Sequence, residues 1–240
     1  MSRPRYAVSL TSIPPRYDRL MPVISSLLAQ NPAPERVYLC LPDKYRRFSE
    51  PAPLPNLPEP VKILRCPNDF GPATKALLAA GRLAGDLDAL IYCDDDWIMP
   101  PNWAASLLAA RQPGQAVTGA GFSVVRLGRL GAAPEFTDIA QGFSGVLIDP
   151  KWLSGPEFEP PDTAWPVDDI WLSGHLARQG ISIRLAADAR TGMTLAYPDD
   201  PGLQDIIMDG RTRDQANRAC AALMHQRYGI WPELSNAARA

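Results

Sequence analysis

The chain has 240 residues, 46% hydrophobic and 21% charged, with a formal net charge of -2. That size suits one globular domain with a large core. The 24 Lys and Arg are scattered and balanced by 26 Asp and Glu, which excludes a basic nucleic-acid surface; no apolar run reaches the roughly 18 residues of a membrane-spanning helix.

Met1-Ser2-Arg3-Pro4-Arg5 leads straight into a strand-like segment without an apolar stretch of signal-peptide type. Tyr6 to Leu10 reads as that first strand. Thr11-Ser12-Ile13-Pro14-Pro15-Arg16 then turns into a helix of about Asp18 to Gln30, with Leu20, Val23, Ile24, Leu27 and Leu28 on its apolar face. Val37 to Leu41 is a second strand. Pro51, Pro53, Pro55, Pro58 and Pro60 make the next stretch a stiff extended connection. A third strand, Val61 to Cys66, is followed by a turn over Pro67 to Pro72 and a helix of about Ala73 to Leu83. The apolar run Ala89-Leu90-Ile91-Tyr92-Cys93 is a buried strand. Strands alternating with helices in this way predict an α/β fold with a mixed, mostly parallel sheet flanked by helices.

The second half is less regular. A helix of about Trp103 to Arg111 precedes Gln115 to Leu127, which reads as a bent strand pair pivoting at Gly119-Ala120-Gly121. Gly142 to Ile148 is a strand with glycines at its entrance. A helix of about Val167 to Gln179 stops at Gly180, a fitting residue just past a helix end. Ile181 to Leu185 is a further strand, and a final amphipathic helix spans about Asp214 to Tyr228. Cys40, Cys66, Cys93 and Cys220 lack CxxC spacing, so buried free thiols are expected rather than zinc or a disulfide framework. An intracellular, cytoplasmic protein is the expectation.

Asp94-Asp95-Asp96 closes the buried strand. Three adjacent carboxylates repel one another and need a cation. By strand alternation Asp94 and Asp96 share one side and Asp95 takes the other, so the outer two form a natural site for Mg²⁺ or Mn²⁺. A solvated turn is the competing reading. In parallel sheets ligands bind beyond the carboxyl ends of strands; Thr11 to Arg16, Asn68 to Lys75 and Asp94 to Asp96 all follow such ends and should gather on one edge. Asp168-Asp169 opens a helix, where the macrodipole favours acids, and Trp165 and Trp171 flank it as rings suited to a sugar face. Lys75 begins a helix after Gly71-Pro72, a setting that favours phosphate; Arg16, Arg211 and Arg213 are further cations suited to a diphosphate. His175 and His225 read as packing or surface residues, with His225 a secondary metal candidate.

Together, Leu90-Ile91-Tyr92-Cys93-Asp94-Asp95-Asp96, Gly142-Phe143-Ser144-Gly145 and Asp168-Asp169-Ile170-Trp171 resemble, in order and spacing, a metal-dependent glycosyltransferase of the GT-A fold. The chain is similar to bacterial family-2-like enzymes of glycan biosynthesis and to the exostosin-like transferase domain, over roughly residues 5 to 185. The proline-rich loop at 51 to 60 stands where many members have a helix. The resemblance implies a single domain over 1–240, with a nucleotide-binding half of about 1–97 and an acceptor half of about 98–240. It implies transfer from a nucleotide-sugar donor, most often a UDP-sugar, to a glycan or other hydroxyl acceptor, assisted by Mn²⁺ or Mg²⁺. By position, Thr11, Ser12 and Arg16 would lie near base and ribose, and Asn68 and Lys75 near nucleotide or phosphates. Asp94, with Asp95 and Gly145, would contact the donor; Asp96 would bind the metal; Asp169 or Asp168 would face the acceptor. Peripheral contact with a membrane stays open.

Two alternatives remain. A sugar-nucleotide pyrophosphorylase would carry a glycine-rich, arginine-containing loop after the first strand, and Thr11 to Arg16 has no glycine. A non-catalytic carbohydrate-binding domain would tend to lose one acid cluster, and both are present.

Overall fold

The computed structural model describes residues 4–50, 53–133, 135–200 and 210–234. Met1 to Arg3, Pro51 of the proline-dense stretch and the far carboxyl terminus lie outside them. The strands are β1 (Tyr6–Thr11), β2 (Arg36–Pro42), β3 (Val61–Cys66), β4 (Ala89–Cys93), β5 (Trp97–Ile98), β6 (Gln115–Thr118), β7 (Gly121–Phe122), β8 (Ile139–Ala140), β9 (Val146–Ile148), β10 (Ser182–Leu185) and β11 (Thr194–Leu195). The α-helices are α1 (Met21–Leu28), α2 (Thr74–Leu83), α3 (Trp103–Ala109), α4 (Asp168–Arg178) and α5 (Arg213–Tyr228).

Seven strands form the main sheet in the order β10-β6-β9-β4-β1-β2-β3. β1 is parallel to both β2 and β4, and β2 to β3. β9 runs antiparallel to its two neighbours, β4 and β6, so β6 and its parallel partner β10 point the same way as β4. The expected mixed, mostly parallel sheet flanked by helices is therefore the observed one. Side chains alternate across it. Ala7, Leu90 and Tyr92 enter one core layer with α2, α4 and α5; Val8, Leu10, Ile91 and Cys93 enter the other with α1 and α3. Burying each large apolar side chain contributes about 1.5–3 kcal/mol, and the two layers hold the sheet rigid beneath its carboxyl edge.

Several sequence expectations need correction. The first helix begins at Met21, because Pro14 to Arg19 forms a 3-10 turn opened by two prolines. The expected strand pair over 115–127 is instead two strands in different sheets followed by a 3-10 turn: β6 joins the main sheet, while β7 pairs with β8. Gly142 to Ser144 is likewise a 3-10 turn, and only Val146–Ile148 is strand. The reason is Gly145, at φ +87, where a Cβ would lie 2.3 Å from Trp103 Cζ2. The backbone passes against the indole, whose Nε1–H donates to the Ser144 carbonyl at 2.7 Å, and extended pairing starts only beyond this crossing. All four cysteines are buried and free. No helix among the described residues is long and apolar enough to cross a membrane.

Candidate active site

β4 ends at Cys93, one residue before the acids. Asp94, Asp95 and Asp96 all line one cleft at the carboxyl edge of the sheet. Thr11, Ser12 and Arg16 reach it from the end of β1, Pro42 from β2, Asp69 and Gly71 from the turn after β3, and Asp168 and Asp169 from the start of α4. The convergence of strand ends expected from the sequence is thus present. Asn68 is exposed and borders a neighbouring hollow with Lys44 and Arg46. Gly145 packs on Trp103 and is not part of the cleft lining.

The charges are paired in a defined way. Asp95 is buried and accepts hydrogen bonds from the Ser12 hydroxyl and from Arg16 Nη1, the latter at 2.5 Å. Strand parity assigned it a different side from Asp94, and the two do take different partners, Lys75 for Asp94 and Ser12 with Arg16 for Asp95, while both line the cleft; Asp96, expected beside Asp94, lies on the Arg16 side. Burial raises the Asp95 carboxyl, with Arg16 and Ser12 opposing. Arg16 also lies 3.7 Å from Asp96 Oδ2 and 3.6 Å from Asp200. Asp96 is pushed up to about 7, by burial first and then by the Asp94 and Asp95 charges. Its Oδ1 is buried without a hydrogen-bond partner among the described residues.

Lys75 stands behind the acids. It is 1% exposed, and its Nζ lies 2.8 Å from Asp94 Oδ1 and 2.5 Å from Asp168 Oδ2. Burial works against its charge, but Asp168, Asp94 and Asp169 hold the ammonium well above its ordinary value. Asp169 is half-buried, and its Oδ1 accepts the Gly142 N–H at 2.9 Å. Burial and the Asp168 charge push it up to about 7, against the pull of Lys75.

Some contributors were not foreseen. Ile13, Pro42, Tyr45 and Phe48 form an apolar corner of the cleft. Tyr45 is fixed there by donating to the Ser12 carbonyl at 2.7 Å and by the Tyr17 hydroxyl at 2.6 Å. The only sequence signal was a Tyr and a Phe in a loop after a strand. Arg47, also unforeseen, and Arg213, expected from the sequence as a cation suited to a diphosphate, line the cleft too, and neither forms an ion pair among the described residues. Of the two flanking tryptophans, Trp165 lines the cleft. It donates to the Asp69 carbonyl at 2.9 Å and lies so close to Gly71, at φ +59, that a Cβ there would come within 2.8 Å of the ring. Trp171 does not reach the cleft: it is 1% exposed in the core and donates to the Phe158 carbonyl. Arg211 is outside the lining, and His225 contacts the Ile230 carbonyl at 3.0 Å, closing the end of α5.

Among the described residues, no group of three or more His, Cys, Asp or Glu could hold a metal by itself. Asp96 nonetheless fits a hard cation. Among the described residues its buried Oδ1 has no hydrogen-bond partner, and Mg²⁺-like ions commonly take one or two carboxylates and complete their sphere from phosphates and water.

No family model matches the chain, and no curated protein does. Among solved structures the chain is similar to the galactosyltransferase LgtC in complex with donor and acceptor sugar analogs. The two are 12% identical over 75% of this chain and 72% of that one, with a TM-score of 0.46.

Proposed function

We propose that this chain is a metal-assisted, GT-A-type glycosyltransferase that moves a sugar from a nucleotide-sugar donor, a UDP-sugar in the first instance, to a hydroxyl acceptor such as a glycan. The observation that carries this reading is one cleft holding two separate acids, both pushed up to about 7. Asp96 has a buried oxygen without a partner, and Asp169 has no ion pair among the described residues. Residues of about 1–97 furnish the donor side, joined there by Arg213, and the rest of about 98–240 the acceptor side.

The base stacks in the corner of Ile13, Pro42, Tyr45 and Phe48, with Thr11 and Ser12 beside the ribose. Arg47 and Arg213, which form no ion pair among the described residues, offer guanidinium groups to the phosphates. Asp96 would hold Mn²⁺ or Mg²⁺, which would supply positive charge where the departing diphosphate becomes more negative. Asp94 accepts hydrogen bonds from donor hydroxyls. Asp169 takes the proton of the acceptor hydroxyl as its oxygen attacks the anomeric carbon and the bond to the nucleoside diphosphate breaks. Its elevated pKa, about 7, suits a base working near neutral pH.

Calorimetric titration with UDP, with and without Mn²⁺, tests the donor side. Binding should strengthen at least about tenfold with metal, and Asp96→Asn should remove that gain. Nucleotide binding indifferent to metal, or an Asp96→Asn variant that still responds to it, refutes the reading. A panel of nucleotide sugars screened for metal-dependent hydrolysis then identifies the donor.

A further inference from the structure

Lys75 occupies a place that the proposed chemistry does not use. A lysine at a helix start, beyond a strand end, invites a phosphate, yet this ammonium is sealed in the wall behind the cleft. Two of its three donors are committed to carboxylates from different parts of the chain, Asp94 after β4 and Asp168 at the start of α4. Its backbone is fixed too, since the Ser9 hydroxyl of β1 donates to the Lys75 carbonyl at 2.6 Å.

Gly142 closes the arrangement. A Cβ there would lie 3.0 Å from Lys75 Cε and 3.0 Å from Asp94 Oδ1, so the bare backbone packs directly on the ion pair. The Gly142 N–H donates to Asp169 Oδ1. One glycine therefore covers the ammonium and orients the neighbouring acid. Asp168 and Asp169 are adjacent in sequence but have unlike partners: Asp168 has a cation, Asp169 an amide.

We propose that Lys75 is a positioning residue that decides which of the two adjacent acids exchanges a proton with substrate. By claiming Asp168 and tying it to Asp94, it leaves Asp169 as the exchangeable carboxyl and fixes the acid helix to the strand end that receives the donor. The assignment of Asp169 as base rests on the function proposed above; the electrostatic control by Lys75 does not. The charged and titratable groups around Asp169 are Asp168 on its own helix, Lys75 on α2, Asp94 after β4 and Tyr92 within β4. Asp168 and Asp94 raise the Asp169 carboxyl and Lys75 lowers it, so opposite shifts should follow from removing a neighbour of either sign.

The test reads the titration of Asp169 directly, by carbon-13 NMR of labelled aspartate carboxyls, with the resonance assigned by its loss in Asp169→Asn. Lys75→Met alone would strand buried acids and endanger folding, so the decisive comparison is Asp168→Asn against Asp168→Asn/Lys75→Met. The Asp169 midpoint should fall in Asp168→Asn and rise again by about 1–3 pH units when Lys75 is also removed. Lys75→Arg should stay near the wild-type midpoint. Coincident midpoints in Asp168→Asn and the double variant would overturn the proposal. Failure of UDP to bind the same wild-type sample would strike the transferase reading alone and leave the midpoint shift standing.

Discussion

Asp169→Asn should abolish sugar transfer while making the fold more stable above neutral pH. The ordinary aspartate value is 3.8, and in the fold Asp169 is pushed up to about 7 by burial and by Asp168. The folded chain therefore holds this proton more tightly than the unfolded chain does. Stability falls as pH rises wherever the folded state binds more protons. The penalty is absent below about pH 4, grows through the interval, and is complete above about pH 7. The shift spans about three pH units at about 1.4 kcal/mol each, on the order of 4 kcal/mol, a large share of a typical total of about 5–15 kcal/mol. An amide removes that penalty, and its oxygen can still accept the Gly142 N–H. Urea unfolding at pH 4.5 and pH 8.5 reads the effect as a difference between variant and wild type, which cancels the parallel contribution of Asp96. The variant's advantage should be several kcal/mol larger at the higher pH. An advantage that does not change with pH, or a less stable variant at pH 8.5, refutes the electrostatic account. In the same preparation UDP affinity should change little, and a variant that still transfers sugar would remove Asp169 from the mechanism.

Two further substitutions probe the scaffold. Gly145→Ala combines a glycine-only backbone conformation with a Cβ 2.3 Å from Trp103, and strain plus overpacking predict a loss of about 2–5 kcal/mol; a urea midpoint indistinguishable from wild type would contradict this packing. His175 is fully buried among Phe158, Trp171 and Tyr228, and neither ring nitrogen has a hydrogen-bond partner among the described residues. Burial, aided by the Arg178 and Arg227 charges, pushes its pKa down from 6.5 to about 3. The unfolded chain then takes up this proton first, so stability is lost as pH falls below about 6.5. His175→Phe should outlast wild type by about 2 kcal/mol more at pH 5 than at pH 7, and equal acid sensitivity of the two proteins in thermal unfolding would refute that account.

The strands that build the cleft floor were legible because their signal is local. Ala89 to Cys93 is an apolar run, and Val61 to Cys66 is a short strand-like segment carrying Lys62 and Arg65 among its apolar residues; both are bounded by turn residues and need no knowledge of distant partners to be read. The gathering of Thr11, Arg16 and Asp94 to Asp96 on one edge followed from the same logic, since parallel strands bring their carboxyl ends together. What the sequence could not supply was the pairing of charges across the chain. Lys75 reads locally as an exposed lysine at a helix start; its burial depends on Asp168, 93 residues away, and on the absence of a side chain at Gly142. Strand parity held for part of the acid triplet: Asp94 and Asp95 take different partners, as it predicts, but Asp96 lies with Asp95 beside Arg16. Gly145 was drawn toward the site by its neighbours in the sequence, although its conformation is fixed by contact with Trp103, 42 positions earlier by residue number. In each case the composition of a short segment fixed what could be there, and long-range contact fixed which way it faced. Chemistry depends on the second property: Asp168 and Asp169 are the same residue type one peptide apart, yet Asp168 is paired with Lys75 and Asp169 with the Gly142 amide.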